Sequence, residues 1–247
     1  MGMTERHRPT RRWVIAGAGA LAMCGAACGR APEREAAEQV FARGRYLIVD
    51  GKPYRPVDLH ILGADAPFGA ETTAFLRKLA REVREVEALG EVQSGRSTPA
   101  RLYGEDGLDL AEVLLASGHA RVWPRGESER NLGHYFARED EARMEGAGLW
   151  ALPDYAVREP DADALAQRMD SYQIVRGRVV EVGASQGRQF LNFGADWRTD
   201  VTAVIDRDVE LETDGLEGAE VEVRGWVEMA NGPSLWIGDA RAVRVLV

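Results

Sequence analysis

From position 174 onward the chain reads as six short β-type runs, at 174–180, 189–193, 201–205, 221–227, 235–237 and 242–246, separated by Gly, Asn and Asp. Runs this short between turn-forming residues leave no room for long helices and suit a small antiparallel barrel or sandwich. Both cysteines, Cys24 and Cys28, lie far upstream. The folded part therefore has neither disulfides nor thiolate metal sites, and its apolar cores must hold it. At 247 residues and 45% hydrophobic, it has material for one large or two small cores.

Arg11 and Arg12 stand directly before an apolar, Gly- and Ala-rich run that reaches Ala27. The segment resembles a bacterial twin-arginine export signal. It is too short, and too rich in small residues, to prefer staying as a membrane span. Gly25-Ala26-Ala27 before Cys28 resembles a lipoprotein cleavage site, after which Cys28 would be the lipidated first residue; Met23 makes Cys24 the poorer match. The alternative is an ordinary cleaved signal that discards both cysteines. Setting aside the five arginines and one glutamate of the first thirty residues leaves the other 217 at a net charge of −13. A body this acidic repels polyanions, so nucleic acid is a disfavoured partner unless a local basic patch receives it.

In the first half, Tyr46-Leu47-Ile48-Val49 is a strand candidate that Asp50-Gly51 turns back, as a hairpin, into 57–62. There Val57, Leu59 and Ile61 alternate with Asp58 and His60, which predicts one buried and one polar face. Phe75, Leu76, Leu79 and Val83 predict an amphipathic helix over 72–83. Further helices are expected at 110–117, ended by Gly118, and at 131–145, ended by Gly146-Ala147-Gly148. Short strands are expected at 101–103 and 120–123. Arg121, Arg125 and Arg130, diluted by Glu127 and Glu129, read as surface. Residues 153–170 mix Pro, acids and Ala and read as a linker with a short helix at 162–169.

Four stretches carry a resemblance. They are Leu62-Gly63-Ala64-Asp65-Ala66-Pro67, Gly69-Ala70-Glu71-Thr72-Thr73-Ala74-Phe75, the run 106–122 with its Asp106-Gly107 start, and Glu141-Ala142-Arg143-Met144-Glu145-Gly146-Ala147-Gly148-Leu149-Trp150. In this order and spacing the block resembles the staphylococcal-nuclease-like (thermonuclease) family. The resemblance implies an OB-type five-stranded barrel with three helices. It also implies calcium-dependent cleavage of nucleic-acid phosphodiesters, with carboxylates on the ion, a glutamate activating water and two arginines on the phosphate. Asp65 matches a calcium-binding aspartate. Phe68 stands where the glutamate belongs, His60 where the first arginine belongs, and Arg96 matches the second. The Asp-Gly-Asp-Thr that would supply another carboxylate is missing around Arg43-Gly44-Arg45-Tyr46. Losing the base and one arginine removes contributions worth about 10²- to 10⁴-fold each.

The second half resembles a small OB-like module in which Phe190, Phe193, Trp226 and Trp236 are expected to fill the barrel. The competing reading stacks single-stranded bases on these rings with help from Arg178, Arg188 and Arg198. Asp196, Trp197 and Asp200 form a polar cluster with no assigned chemistry. The sequence thus predicts a β-rich α+β chain: a signal at 1–28, an OB-type five-stranded barrel with three helices at 29–152, a linker at 153–170, and a second small antiparallel β-barrel at 171–247. The expected role is an exported, periplasmic, lipid-anchored binding or scaffolding module. Its partner would be a protein or ligand of the cell envelope, and it needs no cofactor. The alternative is a calcium-dependent phosphodiesterase with an altered site built from Asp65, His60 and Arg96.

Overall fold

The computed structural model describes residues 33–90, 96–127 and 131–246; the segment expected to be a signal, with Cys24 and Cys28, lies outside them. The first half comprises β1 (Arg34–Ala36), β2 (Val40–Arg43), β3 (Tyr46–Val49), β4 (Lys52–Pro56), β5 (Leu59–Ile61), α1 (Gly69–Ala80), β6 (Val83–Ala88), β7 (Thr98–Gly104), α2 (Leu110–Ala116), β8 (Ala120–Val122) and α3 (Leu132–Glu145). Asp50 and Gly51 have φ of 47° and 80°, the pair of left-handed residues that a type I′ hairpin needs. The turn is as expected but its partner is not. β3 folds back on β4, immediately after the turn, whereas β5 leaves the sheet to pair with β8. Val83 starts β6 instead of ending the helix.

The main sheet has the order β1-β6-β7-β4-β3-β2. Six strands are present where five were expected, and no ladder among the described residues closes them into a barrel; β5 and β8 form a separate pair. Leu47, Tyr54, Leu76, Leu102, Leu114 and Tyr135 build the core between sheet and helices. Asp109 caps α2 by accepting from the Ala111 N–H (2.9 Å), and its other oxygen accepts from the Tyr135 hydroxyl on α3 (2.6 Å). Gly118, at φ 65°, lies where a Cβ would sit 2.0 Å from the Ala147 carbonyl oxygen, so the crossing of the two helix ends requires glycine.

Between the halves, Asp161 caps α4 (Ala162–Ala166). The second sheet contains β9 (Tyr172–Arg178), β10 (Glu181–Ser185), β11 (Arg188–Asn192), β12 (Thr202–Ile205), β13 (Glu220–Met229), β14 (Pro233–Ile237) and β15 (Val243–Val245). Its order is β10-β11-β12-β14-β13-β15, with β9 also on β13. One face carries Leu191, Ala203, Val221, Val223, Val227 and Leu235 into the core. Cross-strand partners show what the other face carries: Phe190 opposes Val204, Val204 opposes Trp236, Trp236 opposes Trp226, and Trp226 opposes Tyr172. Phe193 joins the core as expected, but Phe190, Trp226 and Trp236 line this opposite face instead of filling a barrel.

That opposite face is where the halves meet, within one compact unit spanning Pro32–Val247. Alternation along β13 puts Glu222, Arg224 and Trp226 on it, and Glu222 and Arg224 are buried. Arg224 donates to Glu139 of α3 (2.7 Å), to Glu222 (2.5 Å) and to the Val122 carbonyl of β8 (3.0 Å). Arg143 of α3 donates to Glu222 (2.8 Å) and Glu139 (3.2 Å). Burial alone would raise the Glu222 carboxyl, but Arg224 and Arg143 outweigh it and hold it at about 2. Two fully buried carboxylates and two arginines thus cancel one another across the junction. Gly126 N–H to Asp239 (2.5 Å) and Arg244 to Asp140 (2.8 Å) add ties at its edges.

Removing one member strands the others. Arg224→Met should lower unfolding free energy by about 3–5 kcal/mol, because two carboxylates lose their central partner in a dry site. Urea unfolding followed by tryptophan fluorescence checks this. A loss below about 1 kcal/mol would mean that water reaches the carboxylates.

Candidate functional site

β5 and β8 place His60 and Arg121 opposite each other in register. The expected polar face of β5 is not wet: Asp58 is fully buried and His60 is 9% exposed. The cause is the second half. Tyr172 of β9 stacks on the imidazole at 5.0 Å, and Trp226 of β13 meets it edge-on at 5.6 Å, with Trp123 at 6.0 Å. Arg121 Nη2 lies 3.3 Å from His60 Nδ1 and donates to it, which leaves the ring proton on Nε2. Arg121, read from sequence as surface, is buried with Tyr172 and Tyr155 rings 5.1 and 5.2 Å from its guanidinium carbon. Burial lowers its pKa to about 10.

Burial, then Arg121 and Arg45, push the His60 pKa well below the ordinary 6.5, so the ring is neutral. Asp58 moves the other way. Burial raises it to about 6, although its carboxylate accepts from the Arg125 N–H at 3.0 Å, and its second oxygen has no partner.

Beside His60 opens a cavity of about 270 Å³, lined by Arg45, Arg55, Arg125, Trp123 and Trp226 among others. Two of these arginines share one carboxylate: Arg55 pairs with both oxygens of Glu127, and Arg125 lies 3.4 Å from the same carboxylate and 4.4 Å from the Trp123 ring centroid. Arg45 is exposed on the rim.

The other residues singled out from sequence do not join His60. Asp65 is exposed in the turn before α1, and Arg96 is exposed two residues before β7; neither lines the cavity. Phe68, the N-cap of α1 in a left-handed conformation, stacks on His119 at 5.0 Å and packs with Leu62, Leu149 and Tyr155. Its ring belongs to a small core. Glu71 sits in the first turn of α1, where it complements the helix dipole. Among the described residues no three His, Asp or Glu side chains gather as a metal-holding group. Arg130 and Cys28 lie outside the described residues. Among the described residues, no helix is long and apolar enough to cross a membrane.

Sequence reasoning missed Arg121, Tyr172, Arg224, Glu139 and Glu222. The available signal was Trp226 inside a polar stripe on one strand and a histidine inside a polar stripe on another, two wet-looking faces that each carry a ring. Residues 30–152 match the family model described as staphylococcal nuclease homologue. No curated protein matches the chain.

A histidine held neutral in the fold gives stability that is complete above its unfolded pKa of about 6.5 and is lost as pH falls below it, because the unfolded chain takes up a proton that the folded chain refuses. Between about pH 7 and pH 5 the wild type should therefore lose stability relative to His60→Gln in urea titrations. Parallel profiles would mean that the ring protonates in place.

Proposed function

We propose that this chain, whose residues 30–152 are a staphylococcal-nuclease-like domain, is an exported, lipid-anchored protein of the cell envelope that binds without cleaving. The observation that carries this reading is the packing of Tyr172 and Trp226 against His60. That histidine stands where the family resemblance requires a phosphate-binding arginine, and rings of the chain's own second half pack against it. Phe68 at the position of the water-activating glutamate supports the same conclusion, since a phenyl ring has no basic atom. The open six-stranded sheet with its detached β5–β8 pair is, on this reading, an OB-type barrel opened to seat the second β block.

Purified mature protein should leave single- and double-stranded DNA and RNA intact with calcium and with chelator. Metal-dependent cleavage that disappears in Asp65→Ala would instead support the altered phosphodiesterase, with Asp65 and Arg96 recruited. The anchoring half of the proposal rests on Gly25-Ala26-Ala27-Cys28. In a bacterial host, wild-type protein should fractionate with membranes and incorporate labelled palmitate. Cys28→Ala should do neither, and a soluble, unlabelled wild type would reduce the segment to an ordinary cleaved signal.

A further inference from the structure

The β10–β11–β12–β14 part of the second sheet turns the same face outward that β13 presents to the first half, and here none of the described residues covers it. A cavity of about 580 Å³ opens on it, lined among others by Phe190, Asn192, Trp197, Trp236, Ser234 and Arg188. This volume lies within the roughly 300–1,000 Å³ typical of small-molecule sites. Gly183, directly across from Phe190, has no side chain to lie over that ring.

Three features define the chemistry such a site would accept. First, aromatic surface is offered to the cavity: Phe190 and Trp236 are only partly buried, and Trp197 is 47% exposed although Arg198 lies 4.3 Å from its ring centroid. The loop that carries Trp197 is held by its own carboxylates. Asp200 accepts from the Asp196 N–H at 2.9 Å and Asp196 from the Arg198 N–H at 3.1 Å, which accounts for the polar cluster noted in the sequence. Second, side-chain amides and hydroxyls line the cavity beside the rings: Gln186, Asn192, Asn231, Ser185 and Ser234. Amides both donate and accept, so this lining favours a ligand that brings many neutral oxygens. Third, the charge is balanced. Arg188 has Asp206 at 3.8 Å, Glu181 lies on the rim, and the remaining polar groups are amides and hydroxyls. A polyanion would find no row of free cations here.

Flat apolar faces, many hydroxyl or carbonyl oxygens and no net charge describe a sugar ring. We propose that this face is a binding site for a neutral oligosaccharide, with pyranose rings lying on Trp197 and Phe190 and their oxygens meeting the side-chain amides of Asn192 and Asn231. The proposal is independent of whether the first half has nuclease activity.

The test is intrinsic fluorescence of the mature protein titrated with a panel of neutral tri- and tetrasaccharides covering hexose and N-acetylhexosamine units, to millimolar concentration. At least one should bind, with little dependence on salt. Trp197→Ala, at an exposed position, should weaken it tenfold or more. Asn231→Gly, which keeps the left-handed turn residue at φ 57° and removes only the amide, should weaken it several-fold, with thermal unfolding of both variants close to wild type. Gly183→Val, which would place a branched side chain in the cavity beside Phe190, should block binding. Absence of binding across the panel overturns the proposal, as does binding that none of these variants weakens. Steeply salt-dependent binding of oligo-dT with none of the saccharides overturns it in favour of single-stranded nucleic acid.

Discussion

The structure turns on a buried electrostatic knot. Glu139 comes from the first half, Arg224 and Glu222 from the second, and Arg143 from α3 reaches across to both carboxylates. Neither half can bury its own share alone, because Glu139 without Arg224, or Arg224 and Glu222 without α3, would leave charge in a dry site at a cost of several kcal/mol. An apolar junction would tolerate sliding; this one also fixes register. Val122 on the short strand β8 gives its N–H to Glu139 (2.8 Å), and its carbonyl accepts from Arg224 (3.0 Å) and the Tyr172 hydroxyl (2.8 Å). A strand edge that would otherwise expose backbone groups is thereby satisfied by side chains from α3, β9 and β13.

The fate of the His60 strand follows from that docking. β5 is bonded only to β8, and β8 is the element gripped by the knot, so the second sheet is drawn down onto the β5–β8 pair and its rings land on the imidazole. A cationic side chain at position 60 would sit beside Arg121 with no carboxylate in contact and would raise the cost of burial. Neutral histidine suits the site because it can accept from Arg121 and still offer a ring to Tyr172.

Much of the scaffold is legible from residues alone. Helical spacing and glycine stops place α1, α2 and α3 to within a few residues, and Asp50-Gly51 marks its hairpin. Elsewhere the pattern is silent. Arg34-Glu35-Ala36 has no apolar alternation and is a strand only because its backbone pairs with β6, with all three residues exposed. Glu181 to Ser185 is similar: its strand character is set by the Gln186-Gly187 turn, at φ 52° and 77°, and by the partner β11. The candidate site was half readable. His60 was flagged, but as part of a wet face, because alternation of period two separates one side of a strand from the other without saying what lies beyond either. A neighbour with complementary charge and rings leaves the same signature as water.

The second sheet shows how that ambiguity resolves along a single face. Where the face is covered, at β13, its side chains are Glu222, Arg224 and Trp226, each with a specific partner in the first half. Where it is open, at β11, β12 and β14, the ionic pairs give way to Phe190, Asn192, Thr202, Ser234 and Trp236. Thr202 donates to Asn192 at 3.0 Å, which leaves the amide nitrogen for other use. If this half of the face were adapted only to water, charged side chains would be the cheaper occupants and the rings would be a liability. If it were a second docking surface like the first, it would need unpaired charge, and its arginine already has a carboxylate nearby. A face that is aromatic, amide-bearing and electrically balanced is consistent with neither role, and it adjoins the Trp226–Trp236 pair through which it is continuous with the junction itself.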